Sequence, residues 1–343
     1  MSLNIESQSP RANAHLNLGL DRLRLFQERP DDRAILNEAE EDLNRAVEED
    51  PSFLPAVYYR GIARNLKGEN DLAISDLTRV VESKPPFTAE ARFNLGIARF
   101  HKYHRSDLQE AVAQFQAVLT SNAISDELRL QTMASLAQVH GQLMIQKNPE
   151  QPDREQVALH FFKVLGAETE IRLLLKGQTP DASIKWRIEN AVGLGYMFAS
   201  DYYGSIVVQN GTVWHRPALV LEARKHFENA DNASPKNWAI LCNLGSIWMR
   251  TSYWSSHDNL EENSQESFER SKYFLERVVD KIRPNYGFAL YELGRLHRIN
   301  AKFAEALEWF KRSEDVPETK RDVSKSTLDR EIKRAREQKS IFP

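Results

Sequence analysis

From Pro10 to Pro317 one pattern of small and large side chains recurs along the chain, with apolar residues three or four positions apart, the period of an α-helix. The last copy is the clearest. Leu290-Tyr291-Glu292-Leu293-Gly294-Arg295-Leu296-His297 is followed by Phe303, Ala306, Phe310, Ser313 and Pro317, with Ala306 twelve residues after Gly294 and Phe310 four after that. An earlier copy keeps the spacing with Gly61, Ala73, Leu77, Val80 and Pro85. Two short antiparallel helices approach closely only where small side chains meet at their crossing. The pattern therefore predicts helical hairpins with Gly61 against Ala73, Gly294 against Ala306, and large residues one turn away.

Lengthening the turn between two helices costs little, and with that allowance five more copies emerge. Gly19 leads to Ala39, Leu43, Ala46 and Pro51; Gly96 leads to Ala111, Phe115 and Val118. Ala137 takes the glycine place before Ala158, Phe162 and Leu165. Gly195 precedes Ala223, Phe227, Ala230 and Pro235, and Gly245 precedes Ser271, Leu275, Val278 and Pro284. The expectation is seven hairpins, about 12–51, 54–87, 89–123, 128–176, 184–235, 238–284 and 287–318. The prolines from Pro10 to Pro317 fall at helix starts or in turns, where a missing N–H costs little. Beyond Pro317, Val323, Leu328, Ile332 and Ala335 share one side of an amphipathic stretch, which predicts a capping helix over 319–338. Its outer face is basic through Lys325, Arg330, Lys333, Arg334 and Arg336, and is read as solvated.

Two insertions interrupt the regularity. Residues 205–214, Ser-Ile-Val-Val-Gln-Asn-Gly-Thr-Val-Trp, predict a β-hairpin, because Asn210-Gly211 suits a type I′ turn and β-branched residues flank it. A lone hairpin is marginal in water, so Ile206, Val208, Val213 and Trp214 should lean on the helices; a packed decoration is favoured over a lid. Thr251 to Glu266 reads as a polar loop.

The spacing of Gly61, Ala73, Leu77 and Pro85, and of Leu293-Gly294, Phe303, Ala306, Phe310 and Pro317, resembles the tetratricopeptide repeat, whose signature is Leu-Gly, an aromatic, Ala, an aromatic and a terminal Pro within 34 residues. The resemblance implies an all-α fold, one right-handed α-solenoid (superhelix) over 10–317, with the first helix of each hairpin lining a concave groove. It also implies that the groove holds a protein or peptide. Positions one before Leu-Gly, and one, four and five beyond the Gly, then select Asn17, Arg24, Tyr59, Asn65, Asn94, His101, Asn243, Arg250, Glu292, Arg295 and Arg298, with Tyr58 and Tyr291 beside them. Asn pairs with an extended main chain, Tyr supplies rigid amphipathic area, and Arg grips carboxylates, so an acidic or C-terminal peptide is the expected ligand. The Lys-x-x-x-Asn and Lys-x-x-x-Arg pairs with which some members hold chaperone C-termini are not found in combination.

Charge and composition narrow the partner class. Forty-six basic residues against forty-nine acidic give the 343-residue chain a net charge of -3, too little field to gather nucleic acid or an anionic membrane. An RNA-reading helical repeat would need regular spacing and a basic channel, and neither is present. The single cysteine, Cys242, fits a reducing compartment, and no signal peptide or membrane span is legible, so a cytoplasmic protein is expected. Catalytic constellations are absent: there is no phosphate loop, no His-Glu-x-x-His and no Gly-x-Ser-x-Gly. Gly193-Leu194-Gly195 reads as helix packing, Cys242 as a buried small hydrophobe, and His101 and His104 lack a third metal ligand nearby. The sequence thus points to a non-enzymatic scaffold or adaptor with no metal or cofactor. The alternative is a regulatory or sensory module of a larger polypeptide. Self-association would run through the hairpin or the C-terminal helix.

Overall fold

The computed structural model describes residues 6–29, 32–122, 124–145, 154–201, 206–207, 211–255, 263–317 and 323–340. The helices are α1 (Pro10–Glu28), α2 (Arg33–Glu49), α3 (Leu54–Lys67), α4 (Asn70–Ser83), α5 (Thr88–Phe100), α6 (Arg105–Leu119) and α7 (Asp126–Ile145). They continue with α8 (Arg154–Leu175), α9 (Ala182–Ser200), α10 (Arg216–Ala233), α11 (Trp238–Ser255), α12 (Ser264–Arg277), α13 (Gly287–Ile299), α14 (Phe303–Glu314) and α15 (Lys325–Arg336). Strands β1 (Ile206–Val207) and β2 (Val213–Trp214) pair antiparallel, Ile206 opposite Trp214. The chain divides into two compact units, residues 1–139 and 140–343.

Local chemistry sets the helix ends. Pro10 stands at the first position of α1, where its missing N–H is not needed, and Ser9 accepts from the Ala12 N–H. Asp32, Asp181, Asn263 and Ser324 cap α2, α9, α12 and α15 in the same way. Gly68 ends α3 at φ 86°, a left-handed conformation that a side chain would strain.

In unit 1 the helices pack as the hairpins α1/α2, α3/α4 and α5/α6, and α2 also packs on α3 and α4 on α5. A Cβ placed on Gly19 would meet Leu43, one on Gly61 would lie 2.8 Å from Leu77 Cγ, and one on Gly96 would enter the Phe115 ring. The glycine is thus a hollow for the large residue of the partner helix. This corrects the expectation that glycine and alanine face each other: Ala39, Ala73 and Ala111 are fully buried, yet the residue four further on fills the hollow. Ion pairs tie the same hairpins. Arg22 meets Glu38 and Asp42, Arg60 binds Asp76 bidentately at 2.9 and 2.7 Å, and Arg64 bridges Glu40 and Asp76.

In unit 2 the same arrangement joins α9/α10, α11/α12 and α13/α14. Gly245 receives Leu275 and Gly294 receives Phe310, but Phe227 fills Gly193 rather than Gly195, whose space is taken by Val164 of α8. In α8 the inward side is Val157, Phe161 and Val164, one position away from the expected Ala158, Phe162 and Leu165. Ser271, which stands in an alanine place, donates its buried hydroxyl to the Gly245 carbonyl at 2.7 Å, and Ser313 does so to Gly287 at 2.9 Å.

The hairpin sits against the helices, with Ile206 buried and the Trp214 ring edge-on to Phe161 and Tyr196 at 5.6 and 5.5 Å. Gly211 has φ 81° as its turn requires, while the expected turn residue Asn210 and Val208 lie outside the described residues. The expected loop at Thr251 is instead the end of α11: it runs to Ser255, because Trp254 is buried with the Arg216 guanidinium 3.7 Å from its ring centre.

Candidate functional site

In unit 1, α1 packs on α3 and α3 on α5, so the three first helices lie side by side. On α3, Tyr58 is buried between Tyr59 and Phe87, with ring centres 5.0 and 5.4 Å away. Its hydroxyl accepts from Asn94 Nδ2 of α5 at 2.9 Å, and the same amide donates to the Glu90 carbonyl. Two turns along, His101 Nδ1 lies 2.9 Å from Asn65 Oδ1. Both links join residues 36 apart, one more than the 35 that separate the equivalent glycines Gly61 and Gly96. Half-buried Tyr59 stands between charges of opposite sign. Burial pushes its phenol up, Arg24 of α1 draws it down, and Glu90 of α5 raises it. Arg24 is exposed and pairs with Asp21 at 2.9 Å, and Asn17 is exposed on the same helix. Seven of the thirteen groove positions expected from the sequence therefore fall on these three adjacent helices or, for His101, at the end of one. They make a face of ordered amides and phenols with one charge at each side.

The unit 2 positions are placed differently. Asn243 donates to Asn190 Oδ1 of α9 at 2.7 Å. Arg250 is buried and binds both Asp201 oxygens at 2.7 Å and the Ser246 carbonyl at 3.1 Å. Glu292, 1% exposed, accepts from Ser246 Oγ at 2.8 Å and from Arg295 at 2.7 Å. Arg298 is 0% exposed; its Nε donates to Glu331 at 2.8 Å and a terminal nitrogen donates to the Lys339 carbonyl at 2.7 Å. Tyr291 lies in a cluster with Phe310, Val323, Leu328 and Ala335, and burial pushes its phenol up to about 12. The picture of Arg250, Arg295 and Arg298 as grips held open for a ligand is thus corrected, since each already holds an internal carboxylate.

Several residues with marked chemistry escaped the sequence reading. His226 of α10 is buried with Nδ1 2.6 Å from Glu189 and Nε2 3.5 Å from Glu168, and Tyr196 donates to Glu168 at 2.8 Å. The helix spacing that buries Phe227 says nothing of which acids face its neighbour. Glu331 was legible: it falls three after Leu328 and four before Ala335, on the apolar side of α15. Cys242 is buried as expected, and burial raises its thiol. Among the described residues no group of three metal-ligating side chains comes together, and no helix is long and apolar enough to cross a membrane.

These stacked hairpins define a helical-repeat protein. Residues 67–126 match the tetratricopeptide-repeat family model. Its fold is similar to that of a tetratricopeptide repeat protein from Parabacteroides merdae solved at 2.39 Å, with TM-score 0.52 and 12% identity over 96% of this chain and 100% of that one. Yeast Sti1, as its TPR2AB domain with pHSP90, aligns at TM-score 0.32 and 16% identity over 95% and 98%. Yeast Tom70 aligns at TM-score 0.32 and 11% identity over 95% and 68%. The fold likeness rests on the Parabacteroides protein. No curated protein sequence matches the chain.

Proposed function

We propose that the α1–α3–α5 face of unit 1 binds an extended segment of another protein, and that the chain acts through binding rather than catalysis. The observation that carries this is the pair of links Tyr58–Asn94 and Asn65–His101, which hold amides and rings in fixed positions across adjacent first helices. A side chain fixed before binding loses less entropy on binding, which favours recognition by few contacts. The charges at the face, Arg24 and Glu90, are of opposite sign, so the segment that fits it offers main-chain groups and uncharged side chains. A preference for acidic or C-terminal peptides rested on Arg250, Arg295 and Arg298, whose guanidinium groups are engaged within the chain.

The test is selection of peptides from a displayed random library on the intact chain, repeated with a Tyr59→Ala, Asn94→Ala variant of equal helicity. The proposal expects a consensus sequence on the native chain that the variant fails to enrich. Enrichment of the same sequences by both proteins, or of none by either, contradicts it.

A further inference from the structure

The α13–α14 face of unit 2 has an occupant already seated on it. Helix α15 lays Leu328 and Ala335, and the segment before it lays Val323, on Tyr291, Ala306 and Phe310. Between Leu328 and Ala335 it inserts the Glu331 carboxylate, 1% exposed, against Arg298. Arg295 also acts on that carboxylate, and with Arg298 and Arg334 it holds the Glu331 pKa down against burial, which alone would raise it. Arg298 takes a main-chain carbonyl from the same segment as well, that of Lys339. A face that reads one carboxylate, one carbonyl and a narrow apolar strip has the parts of a peptide-recognition site.

The way α15 is held distinguishes a removable occupant from a permanent cap. Its apolar strip is thin, and the rest of the helix is charged: Lys325, Asp329, Arg330, Lys333 and Arg336 are all exposed. A fully buried ion pair fixes register and identity more than it adds strength, because both charges were taken out of water to form it. An element with few buried apolar side chains opens locally more often than the core it covers.

We propose that the α13–α14 face is a docking site for an amphipathic helix with one carboxylate on its apolar side, and that α15 fills it within the chain until a partner helix displaces it. The partner helix carries a carboxylate three residues after an apolar side chain and four before a small one, the pattern of Leu328, Glu331 and Ala335. This extends the protein-binding reading to a second face and rests on that reading only for the class of partner.

The probe is a fluorescein-labelled peptide of residues 323–340, titrated into the full chain and into its Glu331→Gln variant, alongside amide hydrogen exchange of the native chain. The proposal expects α15 amides to exchange at least tenfold faster than those of α13. It also expects the labelled peptide to bind the variant at least tenfold more tightly than the native chain, and a peptide itself carrying Glu331→Gln to lose that binding. Exchange of α15 at the α13 rate overturns it, with no variant needed. So does equal affinity of the peptide for both chains. A library-selected peptide titrated into these two proteins and into the Tyr59→Ala, Asn94→Ala variant separates the faces: its binding depends on Tyr59 and is indifferent to Glu331.

Discussion

His226 lies between two carboxylates, and that placement makes the protein's stability depend on pH. Burial alone would lower the imidazole pKa; the Glu168 and Glu189 carboxylates outweigh it and hold it at about 9, while Glu168 falls to about 2. A histidine whose pKa is raised on folding stabilises fully below its ordinary value, about 6.5, and the contribution is lost as pH rises through about 9. His226→Gln is therefore expected to lower stability by roughly 3 kcal/mol at pH 6 and by little at pH 10, read from urea midpoints across that range. The glycine hollows give a second prediction. Gly61→Ala gains roughly 1 kcal/mol of helix propensity, but its methyl would lie 2.8 Å from Leu77 Cγ, and overpacking costs about 1–3 kcal/mol. A net loss of about 1 kcal/mol is expected in the urea midpoint. At this scale the sequence showed which residues are small and large, and not which pairs meet. Gly195 missed its partner because two glycines lie two positions apart, and only the packed helices decide that Phe227 fills Gly193 and Val164 fills Gly195.

At the scale of elements, the recurring pattern was enough to predict helices and an all-α fold, since each hairpin repeats one packing problem. The insertions were harder, because no recurrence constrains them. Thr251–Ser255 looks polar in sequence, yet Trp254 and the Arg216 guanidinium pull it into α11. The hairpin was legible from Asn210-Gly211, and its packing on Phe161 and Tyr196 follows from the need of two short strands for support. The arginines on α11 and α13 were the main misreading. Spacing places Arg250, Arg295 and Arg298 on first helices, but their partners Asp201, Glu292 and Glu331 come from a helix end, the same helix and the capping helix. Arg250 thus fastens α11 to the end of α9. Replacing it by Met, which keeps the stem and leaves Asp201 without its cation, is expected to cost about 3 kcal/mol in the unfolding free energy.

At the scale of the whole molecule, two faces in separate units carry the functional account. They differ in what they leave for a ligand. The α1–α3–α5 face presents amides and phenols held by their own hydrogen bonds, and the α13–α14 face is filled by α15. A chain with nearly balanced charge, 46 basic residues against 49 acidic, has no long-range field to select partners, so recognition rests on these local arrangements. The repeat pattern suggested the protein-binding reading proposed here, whereas the choice of face did not follow from it, because exposure and internal pairing are properties of the packed units. The most direct measurement is calorimetric titration of a library-selected peptide into the native chain, the Tyr59→Ala, Asn94→Ala variant and an Arg295→Gln variant. The account predicts at least a tenfold loss of affinity in the first variant and unchanged affinity in the second. Loss confined to the Arg295 variant, or unaltered affinity in both, would contradict it.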